Sequence, residues 1–265
     1  MDILQTLILA IIQGTTEWLP VSSSGHLAIA QKYLRLTDDA AMVFFDIAIH
    51  VGTILVVLVT FRKDVINILK AFLKRDFESE EGKLALFIIA GSIPTAIIGF
   101  LLLYLDITDM LFSNLLIVGF ALLFTGIFLY TSRHVRNGKE LNYVDSLLIG
   151  ITQGVATIPG ISRSGFTIST GLLRKIKREK VFKYSFLLSI PAVLGAMAAT
   201  IVKKHAILTT GSLNFGLTAL GVATSFIVGY MALQLLQKIF MKQKFHLFAY
   251  YCWIIGLATI LLYLL

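Results

Sequence analysis

Cysteine is nearly missing from this chain: Cys252 stands alone among 265 residues. No intramolecular disulfide and no cysteine-based metal site is available, and the apolar run around Cys252 points to a packed helix position. Charge is scarce too. Asp, Glu, Lys and Arg supply 14% of the residues against 57% hydrophobic, with a mean hydropathy of +0.85, which excludes a soluble globular domain. Walker A, His-Glu-x-x-His and Gly-x-Ser-x-Gly patterns are absent. No polar stretch is long enough to form a nucleotide-binding domain. Met1-Asp2 lacks a basic leader, and Gln13 and Glu17 interrupt the first apolar stretch, so no signal peptide is expected.

What remains is a chain of apolar windows. Six of them, at about 41–61, 84–105, 114–131, 182–202, 215–235 and 246–265, are long enough to cross a bilayer. Residues 3–34 and 146–174 differ. Each consists of two short apolar pieces broken by a Pro/Ser/Gly-rich motif, and neither half spans roughly 30 Å of hydrocarbon. A helix that enters, breaks and returns on the same side fits both, because irregular backbone survives at that depth only inside protein or beside a wet cavity.

The net charge of +8 reads as membrane orientation, not nucleic-acid binding. If residues 62–83 are cytoplasmic, the segments on that side hold 17 Lys and Arg, against four outside: Lys32, Arg35, Lys203 and Lys204. The first broken hairpin then enters from outside and the second from the cytoplasm. The expected fold is an all-α polytopic membrane protein with six spanning helices plus two re-entrant helical hairpins, an inverted-topology repeat. It forms one membrane domain over 1–265, with repeat 1 at 1–131 and the inverted repeat 2 at 146–265. Within 62–83, the amphipathic stretch Val65 to Leu73 is expected to lie on the membrane surface.

The two breaks echo each other. Gln13, Gly14, Ser22, Ser24 and Gly25 recur 140 positions later as Gln153, Gly154, Ser162, Ser164 and Gly165. Gln13 and Glu17 are four apart, so they share a helix face. Pro20 ends that helix. Ser22-Ser23-Ser24-Gly25 then offers caps for a second half-helix starting near Gly25, whose N-terminal amides form an anion pocket with His26 in its first turn. The second loop adds Arg163, a planar, permanently charged fork suited to phosphate oxygens.

Each residue has a plainer reading. The serines serve as caps alone, Glu17 pairs with Arg163 to pin the loops, and His26 bonds a carbonyl. Taken together, ionisable residues gathered within hydrocarbon indicate function. The absence of a nucleotide fold makes a phosphorylated lipid or another small anion the expected ligand. Asp46 and His50, again four apart, suit a supporting role beside the site. Asp145 reads as an N-cap of the second hairpin. Tyr104, Tyr130 and Trp253 read as interface anchors. His134, His205 and His246 sit at loop edges, and Asn137-Gly138 marks a turn.

Gln13-Gly14-x-x-Glu17-x-x-Pro20-x-Ser22-Ser23-Ser24-Gly25-His26, followed by Pro159-Gly160-x-Ser162-Arg163-Ser164-Gly165, resembles the undecaprenyl-diphosphate phosphatase family associated with bacitracin resistance. The resemblance covers essentially the whole chain, including Phe186-Leu187-Leu188-Ser189-Ile190-Pro191. It implies hydrolysis of undecaprenyl (polyprenyl) diphosphate to the monophosphate and inorganic phosphate, recycling the lipid carrier of cell-envelope glycans. The Arg-x5-His-x3-Asp signature of the acid-phosphatase superfamily is missing, since Ser169 lies six residues after Arg163.

By motif position the resemblance assigns catalysis to Glu17, Ser23, His26 and Arg163. It assigns substrate binding to Gln13, Ser22, Ser24, Gly25, Ser162, Ser164 and Gly165. It also implies Mg²⁺ or Ca²⁺ with Glu17 as ligand, although many members carry glutamate where this chain has Gln13. Whether His26, Ser23 or water attacks phosphorus is left open. The implied setting is the cell membrane, with a multi-pass chain whose site faces the extracytoplasmic side. The implied partners are a polyprenyl diphosphate and membrane lipids, with homodimerisation open. The competing reading is a secondary transporter or lipid flippase, which shares the layout of broken helices meeting at the midplane.

Overall fold

The computed structural model describes residues 1–36, 40–134, 138–204 and 214–265. His205 and Asn137 fall outside them, as does the side chain of His134. The described residues contain α-helices, two short 3₁₀ turns and no strand beyond one isolated bridge between Lys139 and Ile176. The helices are α1 (Ile3–Trp18), α2 (Ser23–Tyr33), α3 (Ala40–Thr60), α4 (Arg62–Leu73), α5 (Glu80–Tyr104), α6 (Ile107–Ser113) and α7 (Leu115–Thr131). They continue as α8 (Tyr143–Val155), α9 (Arg163–Leu173), α10 (Arg178–Lys203), α11 (Phe215–Met241) and α12 (Phe248–Leu264).

Five stretches are long and apolar enough to cross a membrane: Ala41–Thr60, Glu80–Tyr104, Arg178–Lys203, Phe215–Met241 and Phe245–Leu264. This is the build of a polytopic membrane protein. The sixth expected span, α7, is shorter at 17 residues, because Asn114 starts a fresh helix by accepting from the amides of Leu116 and Ile117. The preceding residues form the separate helix α6, which the hydropathy pattern does not reveal. The amphipathic stretch is the helix α4. Pro94 and Pro191 both lie inside helices.

The broken hairpins are α1–α2 and α8–α9. In the first, the Asp2 side chain accepts from the Gln5 amide at 2.7 Å and Gln5 returns a bond to the Asp2 amide, a reciprocal cap. Pro20 stops α1 by holding Leu19 extended. Ser22 then caps α2, which begins at Ser23, two residues before Gly25. In the second hairpin Asn142, not Asp145, is the N-cap, accepting from the Asp145 amide at 2.9 Å. Asp145 is instead wholly buried, accepting from Arg174 Nε at 2.7 Å and Lys139 Nζ at 2.8 Å. A carboxylate with two cations at the open end of a hairpin ties its ends together, where a cap would have served only α8.

The hairpins pack crosswise. Helix α1 lies on α11, with Gly14 against the backbone of Ser225 and Gly229, while α8 lies on α5, with Gly150 against Gly91. Small residues at these contacts allow the close backbone approach that helix packing in membranes requires. Helices α7 and α12 close the bundle, with Gly119 facing Gly256 and the indole of Trp253 donating to Leu123 O at 3.2 Å. That bond places Trp253 in a helix–helix contact. Trp18, Phe61, Phe182, Phe186 and Phe240 form the aromatic core beneath the loops.

Candidate active site at the meeting of two loops

The two motif loops touch. Ser22 Oγ accepts from the Gly25 amide of its own helix at 3.3 Å and from the Gly160 amide of the other loop at 3.1 Å. A Cβ on Gly25 would stand 3.0 Å from Gly160 Cα. Ser164 Oγ donates to Leu19 O at 3.3 Å, and Thr125 Oγ1 on α7 holds Gly160 O at 2.9 Å. Gly160 has φ +93°, and a Cβ there would lie 2.6 Å from both Val118 O and Ala121 Cβ, so only glycine fits. Ser22 keeps φ 70° despite its side chain, a strained conformation of the kind that clusters at functional sites.

Glu17 is the centre. It is 8% exposed, and each of its carboxylate oxygens is engaged. Arg163 Nη2 donates to Oε1 at 2.6 Å, across 146 residues of sequence. Gln13 Nε2 and Ser23 Oγ both donate to Oε2, at 3.0 and 2.7 Å. His50 Nε2, on α3, stands 3.9 Å from the same oxygen while its Nδ1 meets Asp46 O at 2.7 Å. Asp46 is in turn held by Gln31 Nε2 through both oxygens. Glu17, Ser23, Arg163 and Gln13 therefore converge, with His50 beside them.

Two buried polar atoms here find no partner among the described residues: Gln13 Oε1 and Arg163 Nη1. One acceptor and one cationic donor left open beside a paired carboxylate suit a charged ligand, since burying such atoms unmatched is costly. The guanidinium lies over Trp18, 5.1 Å from its ring, so its plane is held by packing as well as by Glu17.

His26 stands at the rim, on α2. Its Nδ1 is 2.8 Å from Ser22 O, the carbonyl contact that its plainer reading anticipates. Its Nε2 is 2.9 Å from the Tyr251 hydroxyl on α12. Ser23 is thus bonded to Glu17, and neither ring nitrogen of His26 bonds it. Ser22 and Ser162 are N-caps, accepting from Gly25 and Gly165. Ser24 and Ser164 each lie near their cap's hydroxyl, at 3.3 and 3.4 Å, so every serine assigned by motif lies at one of the two helix starts. Those starts direct N–H groups and positive dipole ends toward the junction.

A cleft of about 500 Å³ lies beside this junction, lined among others by Gln31, Lys32, Asp46, Lys204 and His50, the lining residue that stands 3.9 Å from Glu17. Tyr251 and Thr125 escaped sequence reasoning. Tyr251 sits in an aromatic-rich run with no motif around it, and Thr125 is one hydroxyl in an apolar helix.

Comparison with known proteins gives the chain a family context. The family model described as bacitracin resistance protein BacA matches residues 6–258. An undecaprenyl-diphosphatase of Korarchaeum cryptofilum is 42% identical over 270 residues, covering 98% of this chain and 99% of the relative. The same name belongs to relatives in Desulforapulum autotrophicum, 42% identical with 98% of each chain covered, and Alkaliphilus metalliredigens, 40% identical over the full length of both.

Proposed function

Because the chain belongs to the BacA bacitracin-resistance family, we propose that the junction of its two loops is an undecaprenyl-diphosphatase site. The reaction cleaves the phosphoanhydride bond, water supplies the new oxygen, and undecaprenyl monophosphate and inorganic phosphate leave. This recycles the lipid carrier and confers bacitracin resistance. The observation that carries the reading is the Arg163–Glu17 pair, 2.6 Å long, which joins the guanidinium of one loop to the acid of the other.

Arg163 grips the terminal phosphate through its open Nη1 and stabilises the charge that develops on it. The starts of α2 and α9, each capped by serine, aim their dipoles at the same oxygens. Glu17 accepts the Ser23 hydroxyl at 2.7 Å, which orients that oxygen and provides a place for its proton. His26 presents Nε2, since Nδ1 is committed to a carbonyl. Attack by Ser23, by His26 or by a water held between them uses the same atoms. Mapping a trapped phospho-enzyme separates these routes.

The donor set fits a hard divalent ion. Glu17 and the open Gln13 Oε1 would be its oxygen ligands, and the described residues contain no group of three His, Cys, Asp or Glu side chains placed to hold a metal by themselves. Such an ion would take its remaining ligands from diphosphate oxygens and water, as Mg²⁺ does. Mg²⁺ or Ca²⁺ bound there would neutralise the diphosphate and its departing oxygen.

The finer architecture belongs to the same proposal. Six spans and two re-entrant hairpins form inverted repeats, with the site open to the extracytoplasmic side of the cell membrane. The crosswise packing of α1 on α11 and α8 on α5 supports it, as do 17 Lys and Arg against four across the assigned faces. The test is phosphate release from undecaprenyl diphosphate by purified protein in detergent, where transport has no meaning. Absence of release under divalent supplementation, with the protein folded, would remove the phosphatase reading and favour the transporter.

A further inference from the structure

We infer that Tyr251 is a positioning residue for His26, holding the imidazole so that Nε2 faces the phosphate. The inference rests on the reading of His26 as a reacting group. Ser22 O only accepts, so the His26 Nδ1 at 2.8 Å carries the proton. In the neutral ring Nε2 is then the bare nitrogen, and at 2.9 Å it accepts from the Tyr251 hydroxyl. Both ring nitrogens are thereby fixed, which defines one tautomer and one ring orientation.

Two further contacts make this more than a chance approach. The two rings stack at 5.6 Å between centroids with their planes 12° apart, so Tyr251 sets the imidazole's plane as well as its nitrogen. The next residue, Cys252, directs Sγ to Pro20 O at 3.6 Å. Helix α12 is thus anchored to the loop that carries Ser22 and leads into the helix of His26, and Tyr251 approaches from that anchor. In the resting site the hydroxyl occupies the lone pair on Nε2. An entering phosphate replaces it, and the stack keeps the ring aimed.

Tyr251→Phe keeps the stack and deletes only the hydroxyl. In purified protein turning over undecaprenyl diphosphate, kcat should fall about tenfold with KM changed less than twofold, the loss expected of one orienting hydrogen bond. Within a His26→Ala background the same change should cost nothing further, because Tyr251 acts through the imidazole. Diethyl pyrocarbonate, which modifies an unprotonated ring nitrogen, should label His26 faster in Tyr251→Phe, as read by peptide mass spectrometry. A packing role would not move that rate. Wild-type kcat and labelling in Tyr251→Phe, with His26→Ala inactive, would overturn the positioning role and leave the His26 reading intact. Full activity of His26→Ala would overturn both.

Discussion

The two hairpins share a frame and divide the proposed chemistry. At an offset of 140 residues their glutamine, glycines and capping serines coincide, yet the positions proposed to carry the reaction differ: Glu17 against Thr157, Ser23 against Arg163, and His26 against Phe166. Phe166 is buried and packs at 4.3 Å on the ring of Phe128, where His26 faces Tyr251 and the rim. The whole of α9 from Ser164 to Leu172 is buried, whereas in α2 only Gly25, Leu27 and Ala28 are. The hairpin ends differ as well. Asp145 is clamped by Lys139 and Arg174, while Asp2 and Gln5 form an exposed cap. The second hairpin is a packed scaffold that delivers one cation. The first brings an acid, a hydroxyl and an imidazole to the junction.

With the chemistry divided in this way, the single contribution of the second hairpin should be the costliest to remove. Arg163→Ala should lower phosphate release from undecaprenyl diphosphate by roughly 10²- to 10³-fold, the range for losing one preorganised donor at a developing charge. Glu17 would lose its partner as well, so Glu17→Gln should fall by a similar factor, with the double variant little worse than either. Additive losses would show that the two loops act separately and break the comparison at its centre.

Gly160→Ala probes the seam between the hairpins. The added Cβ meets Val118 O and Ala121 Cβ at 2.6 Å and must adopt φ +93°, so the second loop shifts away from Ser22. Activity should drop about tenfold or more, in line with the cost of small misplacements of reacting groups. Thermal stability in detergent should fall as well. A fully active Gly160→Ala would mean that the Ser22–Gly160 contact does not set the site.

Much of this was legible in the residues. Two interrupted apolar stretches, Pro20 and the repeated serine caps announce broken helices, and the scarcity of charge makes Glu17, His26 and Arg163 conspicuous. The plainer readings of those residues also proved true: Ser22 and Ser162 do cap, Glu17 does pair with Arg163, and His26 does bond a carbonyl. The rest depends on distance in space. Nothing local to Tyr251 predicts a histidine 225 positions away. Asp145 looks like a cap because its two cations lie 6 residues before it and 29 after it. Hydropathy starts a span near residue 114 and passes over the residues before it, so α6 carries no signal of its own.

Asp145→Asn tests the scaffold side. Removing the charge leaves Lys139 and Arg174 facing a neutral amide in a buried setting. Because both cations are partly exposed, the loss should be about 2 kcal/mol, less than for a fully buried pair. The melting temperature should fall by several degrees while kcat of the folded fraction stays within twofold of wild type. A kcat loss matching that of Arg163→Ala would make the second hairpin chemical throughout, and the division between the hairpins would fail.

The smallest effect is expected at Gln13, where the first hairpin carries an amide beside its buried acid. Gln13 Nε2 donates to Glu17 Oε2 at 3.0 Å and leaves Oε1 buried and open. In Gln13→Glu that donor becomes a second carboxylate, which repels Glu17 unless a cation lies between them. Turnover with saturating Mg²⁺ should stay within about threefold of wild type, while the Mg²⁺ concentration for half-maximal rate should fall severalfold, as expected when ligand charge is added at a hard-cation site. Chelation should abolish activity in both forms, and thermal stability without metal should be lower in Gln13→Glu because two acids then share one buried site. An unchanged Mg²⁺ requirement together with unchanged metal-free stability would place the ion away from Gln13. The phosphate would then be held by Arg163 and the two helix starts, with the metal confined to the outer diphosphate oxygens.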